Sequence, residues 1–95
     1  MAFVLQVFSV AEYETFKSAF LDDLERRRRL GSLGAHVFRS VSDESEVVVL
    51  IEYRSAANAE QFSDALALRE GVKWTERGVE PVKSSVLEEV LEAEA

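Results

Sequence analysis

Ninety-five residues suffice for one domain, and two would each fall near the size at which staples become necessary. Cysteine is absent, which removes disulfides, thiolate metal sites and cysteine catalysis. With 11 Lys plus Arg against 18 Asp plus Glu the net charge is −7, and a general polyanion binder is disfavoured because phosphate binding needs a cationic footprint.

Phe3 to Phe8 is a short run rich in β-formers, broken only by Gln6, and it predicts a strand. Ser9-Val10-Ala11-Glu12 fits a capping box. Tyr13, Phe16, Phe20 and Leu24 follow at spacings of three and four, the apolar stripe of one helix. Arg26 to Arg29 come near its end, where cations suit the helix dipole. Gly31 is placed to take the left-handed conformation that stops it.

Leu33 to Val41 and Glu46 to Tyr53 are two β-rich runs joined by polar Ser42-Asp43-Glu44-Ser45, which signals a hairpin. A turn centred on Asp43 and Glu44 sets Phe38 opposite Val49 and His36 opposite Ile51. Gly34, His36, Phe38 and Ser40 then share a face with Val47, Val49, Ile51 and Tyr53, while Ala35, Val37 and Arg39 join Val48, Leu50 and Glu52. Both faces are mostly apolar, so both are expected to be covered. One pair of helices covers one face. A second copy of the chain is the simplest cover for the other, giving a homodimer through the sheet face. On that assignment Val49→Asp is expected both to split the dimer and to unfold the chain.

Ser55 is placed to cap a helix from Ala56, with Ala59, Phe62, Ala65 and Leu66 as its stripe. Gly71 predicts a kink or two short helices. Leu68 to Glu76 is read either as a mobile gate carrying Trp74 or as a static kink that Trp74 fills. Gly78 and Pro81 are stop punctuation, and Val82 to Leu91 reads as the last strand. Residues 1–91 make one domain, and Glu92 to Ala95 a frayed acidic tail. The order β-α-β-β-α-β predicts an α+β ferredoxin-like sandwich, a four-stranded antiparallel sheet with helices on one face.

Arg26 to Arg29 point about 100° apart in turn and have Asp22, Asp23 and Glu25 one turn back, so a solvated helix end is expected rather than a nucleic-acid patch. His36, the single histidine, is either a general base or ligand anchor, or a hydrogen-bonded group at a subunit interface. One histidine and no cysteine predict no metal site and no cofactor. Gln6 either pairs with backbone or lines a pocket. Aromatic residues on the helices are core by default, with Trp74 the best placed for a pocket wall. No run approaches the ~20 apolar residues that span a bilayer. The first ten residues lack the marks of a leader, and a soluble cytoplasmic protein without nucleic-acid or membrane partners is expected.

Glu12-Tyr13-Glu-Thr-Phe16-Lys-Ser-Ala-Phe20, Gly31-Ser32-Leu-Gly34-Ala-His-Val-Phe38-Arg39-Ser, Glu46-Val-Val-Val-Leu-Ile-Glu52-Tyr53, Leu68-Arg69-Glu70 and Gly78-Val79 together resemble the small dimeric α/β-barrel proteins of the antibiotic-biosynthesis-monooxygenase-like superfamily. The likeness runs from about Val4 to Leu91. It implies a homodimer whose sheets pack into a barrel, with a small-molecule pocket between sheet and helices in each subunit. Members include cofactor-independent oxygenases of aromatic polyketides or quinols, polyketide cyclases and heme-degrading enzymes. Where the monooxygenase branch carries Glu-x-Trp, this chain has Glu52-Tyr53-Arg54, and Phe62 stands where a histidine is often found. The heme-degrading branch has asparagine on the first strand and a later histidine. Here Gln6 stands on the first strand and no histidine follows Glu46, so heme degradation is not expected. The resemblance implies a cofactor-free monooxygenase or cyclase, with His36 and Gln6 as catalytic residues, Tyr53 and Arg39 orienting an aromatic or polyketide-like ligand, and Phe38 and Trp74 as apolar walls. The alternative is a non-catalytic binding or accessory protein.

Overall fold

Three valines and two phenylalanines dominate Ala2–Val10, and this stretch forms strand β1 in the middle of the sheet. The computed structural model describes residues 1–61 and 78–94. Expectations that fall on Phe62, Ala65, Leu66, Gly71, Trp74 and the Leu68 to Glu76 gate lie outside these residues. After β1 come α1 (Tyr13–Asp22), α2 (Leu24–Arg29), β2 (Ser32–Arg39), β3 (Glu46–Tyr53), a helix α3 described over 56–61, and β4 (Val79–Glu88). All strand pairs are antiparallel, in the order β2-β3-β1-β4. That is the ferredoxin-like α+β arrangement expected from the element order.

Several local signals act as the sequence suggests. Gly31 has φ +97°, and a Cβ there would lie 2.8 Å from Asn58 Nδ2, so glycine is needed for conformation and for space. The Ser55 hydroxyl accepts from the Asn58 amide at 3.3 Å and caps α3. Others do not. Ser9 lies in β1, paired with Glu46 and Glu80, and Glu12 ends up as the N-cap of α1 without a side-chain cap bond. The ladder continues past Ser9, with Val10 N donating to Ser45 O at 2.7 Å and Ala11 N to Gly78 O at 2.9 Å. Backbone pairing on both sides of β1 thus displaces the capping box. The last strand begins at Val79 and takes in Pro81, because β4 is an edge strand with a bulge opposite Val7 and Phe8. An edge bulge is where a strand tolerates proline. Val90 and Leu91 lie beyond the strand and are exposed.

The expected single helix is divided at Asp23, whose φ and ψ are −89° and 3°. Leu24 is exposed there, and Arg27 turns inward instead, only 3% exposed. The solvated-end reading therefore holds for Arg28 and Arg29 but not for Arg27.

The hairpin register differs by one residue from the expected one. Val37 pairs with Val49, His36 with Leu50 and Phe38 with Val48. A one-residue slip moves every side chain to the other face. Ala35, Val37 and Arg39 therefore share a face with Val47, Val49, Ile51 and Tyr53, and His36 and Phe38 join Val48, Leu50 and Glu52. The first of these faces is the covered one. It carries Ala2, Val4, Phe8 and Val10 of β1, packed under Phe16 and Ala19 of α1 and Ala59 of α3. Val49 is fully buried in it, so it belongs to the core and not to the sheet face left open. Val49→Asp is accordingly expected to unfold the chain by burying an unpaired charge, at a cost of about 3 kcal/mol or more. Urea denaturation checks this: a cooperative transition at the wild-type midpoint would contradict the placement.

Candidate functional site

Three buried side chains on the covered side carry polar atoms: Gln6 at 3% exposure, Arg27 at 3% and Tyr53 at 0%. Gln6 sits mid-sheet between its cross-strand neighbours Val49 and Ser84. Its Nε2 is enclosed and donates to nothing. An enclosed, unpaired donor costs about 1–3 kcal/mol. Tyr53 pairs with Ala2, four residues from Gln6 along the strands, which is roughly 13 Å. Burial pushes the Tyr53 hydroxyl up from its ordinary pKa, against the opposing pull of Arg27 and then Arg26, with Asp23 adding a smaller rise. Tyr53 is thus a neutral hydroxyl at physiological pH.

Arg27 projects from α2 back under the end of α1. Its Nη1 donates to the Phe20 carbonyl at 2.7 Å, and its guanidinium carbon lies 3.8 Å from the centre of the Phe20 ring. Burial pulls its pKa down, Asp23 and Tyr53 oppose that, and Arg26 adds to it. The group stays protonated all the same. Asp23 is committed to Arg26, with Nε to Oδ1 at 3.0 Å and Nη2 to Oδ2 at 3.1 Å. Arg28 pairs with Glu25 at 3.1 Å on the open surface, where such a pair contributes little.

Above the sheet runs a row of rings. Tyr13 and Phe16 are 6.4 Å apart between centres, Phe16 and Phe20 are 5.8 Å, and Phe8 rises beneath Phe16 at 5.4 Å. A cation closes each end: Arg27 over Phe20, and Arg39 over Tyr13 at 5.2 Å. Arg39 is exposed and lines a surface cleft of about 300 Å³ with Val10, Ala11, Tyr13, Glu44 and Ser45.

The residues singled out from sequence do not converge. Gln6 and Tyr53 share the covered face, and Arg39 reaches that side only at its rim. His36 and Phe38 lie on the opposite face, exposed, with ring centres 6.2 Å apart. Trp74 lies outside the described residues. Sequence reasoning missed Arg27. The signal was present, because Arg27 follows Phe20 by seven residues on the stripe begun by Tyr13 and Phe16. Among the described residues no group of three or more His, Asp or Glu could hold a metal ion, and no helix is long and apolar enough to cross a membrane.

No family model matches the chain, and no curated protein does. Solved structures do. One is a candidate antibiotic biosynthesis monooxygenase from Deinococcus radiodurans, with a TM-score of 0.63 at 13% identity over 100% of this chain and 98% of that one. Another is Rv0793 from Mycobacterium tuberculosis, with a TM-score of 0.50 at 14% identity over 99% of this chain and 100% of that one. The chain thus shares the fold of these two structures across its length. At this identity the likeness is one of fold.

Two outcomes follow from the polar interior. Gln6→Leu is expected to stabilise the protein by about 1 kcal/mol, since an apolar side chain replaces an unpaired donor. For a domain of this size that is a rise in Tm of roughly 4–8 °C. Calorimetry that found a fall would show the amide to be satisfied. Tyr53 sets an alkaline limit. Its folded pKa lies above the ordinary value of 10.0, so the unfolded chain loses this proton first. The contribution is intact below pH 10 and is lost as pH rises beyond it. Stability is expected to fall above pH 10, and less steeply in Tyr53→Phe. Equal slopes in the two proteins would refute this.

Proposed function

We propose that this protein binds a small aromatic or polyketide-like molecule between its sheet and its helices and acts on it as a cofactor-independent monooxygenase or cyclase. The observation that carries the reading is Gln6. A carboxamide in the middle of a buried apolar face, with its N–H unpaired, weakens the fold, and a ligand carbonyl or phenolic oxygen is the partner that would satisfy it. Whole-length likeness to a candidate antibiotic biosynthesis monooxygenase supports the same reading. In a monooxygenation of this kind a substrate CH₂ becomes C=O and the second oxygen atom leaves as water. The substrate supplies the electrons, and Gln6 would donate to the oxyanion that develops.

The functional unit in this reading is a homodimer joined through the open sheet face. Leu5, Val7, Phe38, Val48, Leu50 and Leu87 make that face apolar, and Phe38 is 54% exposed. A second reading, a non-catalytic binding protein of the same fold, is favoured by one observation: the single histidine lies on the opposite face of the sheet from Gln6.

A panel of hydroquinones and phenols, scored for melting shift and for oxygen uptake, separates the two. The enzyme reading expects uptake that Gln6→Leu reduces at least about tenfold while His36→Ala leaves it unchanged; each 1.4 kcal/mol of lost transition-state stabilisation is tenfold. Melting shifts without turnover select the second reading, and no shift with any member of the panel sinks both. Sedimentation at about micromolar protein is expected to show a dimer, and Phe38→Asp a folded monomer. A monomeric wild type would overturn the assembly.

A further inference from the structure

Where β1 ends and the chain turns toward α1, Val10 and Ala11 meet the β2–β3 loop, and Val10 N donates to Ser45 O at 2.7 Å. The cleft at this junction encloses about 300 Å³. That is the small end of the range for ligand sites, about 300–1,000 Å³, and suits a compact molecule. Val10, Ala11 and Tyr13 give it an apolar part, and Arg39 and Glu44 bring one charge of each sign.

Opposite charges lining one small cleft can pair with each other. These two do not: among the described residues the ion pairs are Arg26 with Asp23 and Arg28 with Glu25. Arg39 instead lies over the Tyr13 ring, its guanidinium carbon 5.2 Å from the centre. The opposite wall has its own support, because Asp43 Oδ1 accepts from the Ser45 hydroxyl at 2.6 Å and from the Ser45 amide at 3.0 Å. Binding between walls already held in place costs little further ordering. The bland account is two solvated charges at the end of a sheet, each contributing little to stability. It explains each charge alone. It leaves their placement beside one apolar patch, unpaired, without a reason.

We propose that this cleft binds a free α-amino acid with an aliphatic side chain, its carboxylate on Arg39, its ammonium at Glu44 and its side chain against Val10 and Ala11. Charge decides the class. A monoanion would meet Glu44 and a protein of net charge −7. A cation would meet Arg39. A zwitterion answers both groups and carries no net charge into that field. The Arg39 fork offers two parallel N–H donors, which suit a carboxylate. Both charged groups are exposed, so the affinity is weak, on the order of a millimolar. Gln6 does not line this cleft, so the site stands whether or not a ligand enters the interior.

L-Leucine, 4-methylpentanoate and 3-methylbutylamine share one side chain and carry both charges, the carboxylate alone and the ammonium alone. Titrating each into isotope-labelled protein and following the amide NMR shifts reads affinity and place together. Leucine is expected to shift the amides of Val10, Ala11, Glu44 and Ser45 saturably, and each analogue to bind at least about tenfold more weakly. Arg39→Met keeps an apolar stem on Tyr13. It is expected to weaken leucine about tenfold and leave 3-methylbutylamine unchanged. Glu44→Gln is expected to weaken leucine by a similar factor and leave 4-methylpentanoate unchanged or tighter. Both positions are exposed, so both variants keep the fold. Absence of a saturable shift with leucine up to about 20 mM, well above the expected affinity, overturns the proposal. Equal binding of the three compounds overturns it by making the cleft merely apolar. Tighter binding of 4-methylpentanoate than of leucine does so by making it an anion site. Leucine binding that neither variant weakens overturns it as well.

Discussion

The register of the β2–β3 hairpin decides which side chains this protein keeps inside. Ser40 N donates to Glu46 O at 3.0 Å, closing a five-residue loop. Asp43 holds that loop. Its Oδ1 accepts from the Ser45 hydroxyl at 2.6 Å and the Ser45 amide at 3.0 Å, and its carbonyl accepts from Glu46 N at 3.1 Å. The Asp43 carboxylate is held below its usual pKa by those contacts, the hydroxyl first and the amide second. Because strand side chains alternate with period two, a loop shorter or longer by one residue would reverse the faces. Val37 would face out, and His36 and Phe38 would enter the core. The polar turn therefore determines the chemistry of the interior some distance away.

With that register in place the two faces of the sheet take different roles. On the covered face β1 and β3 alternate small and large apolar groups beneath the ring row of α1, and the core residues there are almost fully buried. Burial of apolar area is the main stabilising term, at about 25 cal/mol per Å². Gln6, Tyr53 and Arg27 work against it, each in a different way. The amide leaves a donor unpaired, the hydroxyl is denied its ionised form, and the guanidinium carries a charge away from water. The open face has no such exceptions near its centre. Leu5, Val7, Val48 and Leu50 form its middle, with charge at Glu46, Glu52, Glu80 and Lys83 around them.

Fold and site were legible to different depths. Glu46 to Tyr53 could be read as a strand to the residue, because an unbroken β-rich run leaves no other choice. Gly31 and Ser55 could be read because one conformation or one cap bond decides each of them. The capping box at Ser9 could not, since a local side-chain bond competes there with two ladders formed by residues distant in sequence. Pro81 reads as a stop, yet an edge bulge accommodates it. The hairpin register depended on a loop length that composition does not specify, and His36 and Phe38 changed faces with it. Arg27 was hidden by its own charge. Four consecutive arginines suggest solvent, whereas the stripe through Tyr13, Phe16 and Phe20 points to Arg27 as an inward position.

Arg39 and Arg27 close the same ring row with the same chemical group, and the difference between them lies in solvent. A cation over an aromatic ring contributes about 0.5–1 kcal/mol in water and about 2 kcal/mol or more when desolvated. Arg39 is exposed, so salt and water weaken whatever it holds. Arg27 is buried on the short helix that the chain enters after Asp23. The chain as a whole carries −7, so its long-range field repels anions rather than steering them in. Among the described residues, Arg27 is the cation that the fold sets where water scarcely reaches.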